Sequence, residues 1–245
     1  MNRADIVAAE TCLFEAWRAP EVSDVGGWQV RAATGGYRRL NSVWTANFDG
    51  SLDVADAVAT TQAYYGDHKM PARFMVLEVA EPAELDQELA ARGYAVNGSC
   101  VTLARGVGNR QAPEGVEAVA AASDAWLALY RGSVSAERQH ELRGALARLP
   151  ADRIFCTAHD GGIAAATGLG VRWRDIVGVE CMFTRDDARG RGLAGKILAS
   201  IEAWAATIGA RRLVVATGEE NQAARRLYEK AGYAPLSRYH YRERA

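Results

Sequence analysis

The sequence contains only four cysteines, Cys12, Cys100, Cys156 and Cys181, and no two of them form a Cys-x-x-Cys pair. Widely separated thiols disfavour zinc and dithiol chemistry, so no metal is expected. Three of the four sit in apolar strand-like surroundings and read as buried free thiols. Surplus charge is missing too: 29 Lys and Arg stand against 30 Asp and Glu. That balance gives no general electrostatic case for nucleic acid or an anionic membrane. No apolar run approaches the roughly 20 residues that span a bilayer. Asp5, Glu10 and Glu15 interrupt the stretch where a signal peptide is apolar. The expectation is a cytoplasmic protein with neither nucleic-acid nor membrane partners. What remains, 49% hydrophobic and 24% charged residues, is ordinary globular composition.

Residues 106–115, rich in Gly, Pro and polar residues between apolar segments, read as a linker. They divide the chain into a first half, 1–105, and a second half, 116–245. In the second half the pattern predicts a strand over Val116–Ala120 and helices over Ser123–Arg131 and Ala136–Arg148, with Ser123 as an N-cap. Strands follow over Arg153–His159, Ile163–Trp173 and Ile176–Thr184, then a helix from Arg191 to Ile208 with one apolar face. A buried strand (Arg212–Thr217), a helix (Asn221–Lys230) and a last strand (Tyr233–Arg242) complete it. The expected fold is α/β: a central mixed, mostly antiparallel sheet flanked by helices, with one parallel crossover. A constant offset of 139 residues superposes the halves without a gap from about Leu40 to Arg105. Leu40–Thr45 falls on Val179–Thr184, and the Arg73 strand falls on the Arg212 strand. The reading is tandem duplication.

Chemistry concentrates after the Ile176–Thr184 strand, in Arg189, Gly190, Arg191, Gly192, Leu193, Ala194, Gly195 and Lys196. A glycine-rich turn opening a helix points unpaired N–H groups outward at the positive end of the helix dipole. That is an anion site. The glycines let a phosphate approach the main chain, and Arg189, Arg191 and Lys196 add charge. The same stretch spells the dinucleotide fingerprint Gly-x-Gly-x-x-Gly. No acid ends the next strand, though, and too little chain remains for a doubly wound sheet.

Two motifs carry a family resemblance. Arg189-x-x-Gly192-x-Ala194, between a strand and a long helix, resembles the pyrophosphate signature of the GNAT superfamily of N-acetyltransferases. Asn221-x-x-Ala224-x-x-Leu227-Tyr228-x-x-x-Gly232-Tyr233 is similar to its second signature. The resemblance covers about Val116 to Arg242. It implies that acetyl-CoA is the cosubstrate and that acetyl passes directly to a primary amine in a ternary complex. It places Met182, Phe183 and Thr184 beside the pantetheine arm, where the strand splays from its parallel neighbour. It puts Asn221 near the thioester and makes Tyr228 the acid that protonates the departing thiolate. Glu180 becomes the candidate general base, with His159 as runner-up. Each residue has a plainer role as well: Tyr228 as core, Asn221 as a helix cap, Glu180 as an ion-paired strand residue.

In the first half the offset puts Gly50 on Arg189, Asp53 on Gly192, Pro82 on Asn221 and Leu89 on Tyr228. A carboxylate at the phosphate position repels pyrophosphate, so residues 1–105 read as a degenerate GNAT-like domain without an acetyl-CoA site. The cluster Arg31, Arg38, Arg39, Asn41 and Trp44 either faces the second half, near the acceptor, or is a solvated hairpin. Acceptor specificity is expected around Ser123–Arg148, where Trp126, Tyr130, Glu137, His140 and Glu141 occur. A small-molecule amine is expected over a protein lysine or amino terminus, on a monomer or a homodimer. The alternatives are transfer of another acyl group and a CoA-binding regulatory module without turnover.

Overall fold

A computed structural model describes residues 2–34 and 36–244; Met1, Gly35 and Ala245 fall outside the described residues. The first half runs α1 (Arg3–Ala16), β1 (Glu21–Val25), β2 (Trp28–Ala32), β3 (Val43–Trp44), α2 (Val54–Asp67), β4 (Ala72–Leu77), α3 (Leu85–Ala91) and β5 (Ala95–Gly106). The second runs β6 (Val116–Val119), α4 (Asp124–Gly132), α5 (Ala136–Ala147), β7 (Arg153–Asp160), β8 (Ile163–Trp173), β9 (Ile176–Thr184), α6 (Leu193–Thr207), β10 (Arg212–Gly218), α7 (Gln222–Lys230) and β11 (Ala234–Arg244). Ser123 caps α4 by accepting the Trp126 N–H, as its position predicts. The long second-half helix starts two residues later than periodicity implies. Gly192, its cap, has φ +77°, outside helical geometry. No helix among the described residues is long and apolar enough to cross a membrane.

The strands form one 11-stranded mixed sheet in the order β1-β2-β3-β4-β11-β5-β10-β9-β8-β7-β6. Among the described residues only β3–β4 and β9–β10 pair in parallel. Both parallel pairs are joined through a helix, α2 and α6 respectively, as a parallel connection requires. The offset of 139 carries Val54, the first residue of α2, onto Leu193, the first of α6. It carries Ala95, the first of β5, onto Ala234, the first of β11. The final strands are exchanged. β11 lies between β4 and β5, and β5 lies between β11 and β10, so each half completes its sheet with the other's last strand.

Burial explains the layers. Ile197 and Ile201 of α6 are fully buried over β8, each worth about 1.5–3 kcal/mol. They come so close that a Cβ at Gly168 would collide with Ile197. On the opposite face α1, from the first half, packs Ile6, Cys12 and Leu13 against Ile176 and Val214 of the second. The connection 107–115 is docked rather than loose: the buried Glu202 of α6 accepts from Gly108 N–H at 2.9 Å and pairs with Arg105 and Arg110.

Candidate active site

The turn into α6 has the features of an anion cradle. Gly190 and Gly192 both take positive φ, +76° and +77°, which side chains strain to adopt. No side chain caps the helix, and the amides of residues 193–195 have no hydrogen-bond partner among the described residues. Lys196 N–H is the first to close a turn, onto Gly192 C=O at 3.1 Å. A Cβ added at Gly190, Gly192 or Gly195 would meet nothing within 4 Å, so the space above the loop is open. The two arginines read as phosphate ligands are engaged otherwise. Arg189 pairs with Asp186 at 2.6 Å, and Arg191 pairs with Asp160 and donates to Asp187 C=O. Backbone amides and Lys196 therefore supply most of the free positive potential. These residues fit a diphosphate.

Beside the loop the sheet opens. β9 and β10 stay in register only over Ile176–Gly178 against Arg212–Val214. A bulge is the local cause. Thr167 pairs with Phe183 and Leu169 with Glu180, so β9 holds one extra residue there. Cys181 takes φ +53° within it, and its carbonyl accepts from Thr167 Oγ1 at 3.0 Å. From Val179 to Thr184, a stretch that contains Met182, Phe183 and Thr184, the β10-facing edge has no strand partner among the described residues.

Tyr228 of α7 packs in the core on the α6 side, 5.8 Å from the Tyr233 ring. Burial, reinforced by the charge of Glu180, pushes its phenol well above the ordinary value. It is thus held protonated and lies within electrostatic range of Glu180. Asn221 caps α7, accepting the Ala224 N–H at 3.1 Å, and is exposed. Glu180 is mostly buried and bound by an arginine of the first half. Arg39 donates to Glu180 Oε1 at 2.6 Å and to Tyr239 Oη at 3.1 Å. His159 lies two strands away from Glu180, on β7, paired with Ala164 next to the Asp160 that holds Arg191.

A cavity of about 300 Å³ opens over Glu180 on the α1 side. Of the cluster singled out in the first half, Arg38 and Arg39 line it. Arg31 instead donates to Phe14 and Trp17 carbonyls, Asn41 accepts Ala33 N–H, and Trp44 stacks on Phe14 at 4.5 Å. Within 123–148, Tyr130 and Arg138 reach the cavity. Trp126 is core, donating to Gly168 C=O, and Glu141 is buried against Arg148 and Thr34. Sequence reasoning did not find Trp17, Tyr37 and Arg138 on its walls. They come from the end of α1, the connection between β2 and β3, and α5, and no local spacing connects them.

Residues 120–233 match the Acetyltransferase (GNAT) family. The uncharacterized N-acetyltransferase YobR of Bacillus subtilis (strain 168) is 26% identical, across 97% of this chain and 98% of its own. Among solved structures, a GCN5-related N-acetyltransferase from Kribbella flavida superposes with a TM-score of 0.72 at 18% identity, over 98% of this chain and 94% of that one. A tandem GNAT protein from the clavulanic acid biosynthesis pathway superposes with a TM-score of 0.60 at 15% identity, over 77% and 68%. The fold is that of GNAT proteins. Residues 120–233 carry the match to the GNAT acetyltransferase family, and together with the N-acetyltransferase relative it supports an acyltransferase.

Proposed function

We propose that the protein transfers the acetyl group of acetyl-CoA to the primary amine of a small molecule within a ternary complex. The observation that carries this reading is the opening between β9 and β10 beside the uncapped start of α6. The amides of residues 193–195 and Lys196 would hold the pyrophosphate, with Arg189 and Arg191 free to exchange an aspartate for a phosphate. The unpaired edge of Met182, Phe183 and Thr184 would take the pantetheine arm, and Asn221 would sit near the thioester. When bound, acetyl-CoA supplies the acetyl group as a thioester.

The residues divide the proton work. An alkylamine is mostly charged at neutral pH, so the incoming ammonium must lose a proton. Glu180 receives it, since Oε2 has no hydrogen-bond partner among the described residues while Oε1 is held by Arg39. Nitrogen then bonds to the carbonyl carbon, the carbon–sulfur bond breaks, and Tyr228 gives its phenolic proton to the departing sulfur. Amide formation releases the second amine proton, which restores the phenol through solvent.

The first half belongs to this reading as a duplicate that has lost the cofactor site and kept the wall of the acceptor cavity. At its counterpart of the phosphate loop, Asp53 caps α2, and Glu84 and Glu88 line the same surface. Acetyl-CoA is expected to raise the melting temperature, because a ligand bound only by the native state stabilises it by mass action. Amine-dependent release of free thiol should accompany it. No shift at millimolar acetyl-CoA removes the reading; a shift without thiol release from any amine points to the regulatory module instead.

A further inference from the structure

We infer that the acceptor is an amphoteric aromatic acid, a primary amine carrying a carboxylate and a planar apolar body, as in an aromatic α-amino acid. This rests on the acetyl-transfer reading above and names the substrate class of the same site. The first observation is charge. Three guanidiniums, Arg38, Arg39 and Arg138, line the cavity against one carboxylate, Glu180. Arg39 is consumed by Glu180. Arg38 donates to Asn97 Oδ1 at 2.8 Å and lies 3.6 Å from Glu243, a carboxylate it shares with Arg73. Arg138 has no acidic partner among the described residues. Its Nε donates to Gly36 C=O at 3.3 Å, and its two terminal nitrogens have no hydrogen bond there. A guanidinium fork of this kind matches a carboxylate with two parallel hydrogen bonds. A polyamine would bring several cations into a cavity that already holds surplus positive charge.

A second, independent observation is an unmet hydroxyl. Tyr37 is buried, and its Oη has no hydrogen-bond partner among the described residues. Buried hydroxyls are rarely left so, and the Tyr37 side chain forms part of the cavity wall, with Arg138 5.4 Å from its ring centroid. The third observation is shape. Trp17 stacks on Tyr37 at 5.6 Å, and Tyr130, Tyr239 and Tyr241 form further walls. Flat aromatic walls around about 300 Å³ suit a planar body of amino-acid size. The amine then meets Glu180 at the sheet opening, and the carboxylate meets Arg138, beside the Tyr37 ring, at the α5 side.

The test compares L-phenylalanine, L-tyrosine and L-tryptophan with phenethylamine, tyramine and tryptamine, and with spermidine, following thiol release from acetyl-CoA. The acids should exceed their decarboxylated partners in kcat/KM by about 10-fold or more, the scale of a charge-assisted hydrogen-bonded pair, with spermidine poorest. Arg138→Gln should raise KM for the acids about 10-fold, with KM for acetyl-CoA unchanged, and Arg138→Lys should restore part of the loss. Equal or better use of the decarboxylated amines or of spermidine overturns the inference, as does a preference that survives Arg138→Gln. Calorimetry of L-phenylalanine against phenethylamine on the free protein decides the cavity's preference whatever the outcome of transfer. Failure of acetyl-CoA to bind, by contrast, defeats the acetyl-transfer reading itself.

Discussion

The helices α2 and α6 follow equivalent parallel strands but start in opposite ways. α2 begins at Asp53, with φ −72° and ψ 161°, and its carboxylate accepts the Asp56 N–H at 2.8 Å. α6 begins at Gly192 in the left-handed region, with no side chain over its first amides. An aspartate N-cap is worth about 1 kcal/mol to a helix, so α6 forgoes stability that α2 keeps. The difference teaches what a binding loop is physically: a helix start whose orphan donors are left for a ligand. Where the protein meets those donors itself, as in α2, an anion has nothing to bind and a negative charge to overcome.

The largest expected effect comes from giving α6 the residue of α2. Gly192→Asp sets a carboxylate against the diphosphate and should weaken acetyl-CoA binding by more than about 100-fold, measured by calorimetry. The backbone geometries differ, so the substitution also strains a left-handed position, by about 1–2 kcal/mol. Gly192→Ala carries that strain without the charge. Its melting temperature should fall comparably while its affinity falls far less; equal affinities for the two variants would remove the electrostatic argument.

Next in size is Tyr228→Phe, which makes the position as mute as its first-half counterpart, the buried Leu89. It should lower kcat by about 10- to 1000-fold, the range for losing a general acid, with KM for acetyl-CoA held. A parallel loss in cofactor affinity would instead mark Tyr228 as core packing. Glu180→Gln should then move the rate toward higher pH, where more of the amine is already neutral. Full rate at neutral pH would take the base away from Glu180, with His159 next to be tried. The smallest effect is expected from Asp53→Gly in a Gly192→Asp background. Stability should change by only a few tenths of a kcal/mol, and no acetyl-CoA should bind. Binding there would mean that one carboxylate alone keeps the first half silent.

Much of the second half was legible because its signals are local. Ser123 three residues before Trp126 reads as a cap, the apolar stripe of α6 has helical spacing, and Asp160–Gly162 marks a hairpin. The glycine-rich turn proposed to hold phosphate was legible for the same reason, since two glycines and a following helix are neighbours in the chain. The arginines beside them were read as phosphate ligands, yet Asp160, Asp186 and Asp187 hold them, and the pairing with Asp160 crosses to another strand. The first half was half legible. Its offset to the second was visible, but nothing local separates Arg39, which reaches Glu180, from Arg31, which ties down the end of α1.

The sequence by itself determined the elements of the second half and the two signature motifs, because each is a matter of residues close in the chain, and it showed Asp53, Pro82 and Leu89 where the offset puts Gly192, Asn221 and Tyr228. Only the tertiary structure decided that β5 and β11 change places and that α1 of the first half packs over β9 and β10. These choices assemble one cavity from Trp17, Arg39, Arg138 and Glu180, residues far apart in sequence. Sheet pairing and burial are satisfied over the whole molecule at once, so no short stretch of chain encodes which distant side chains will meet.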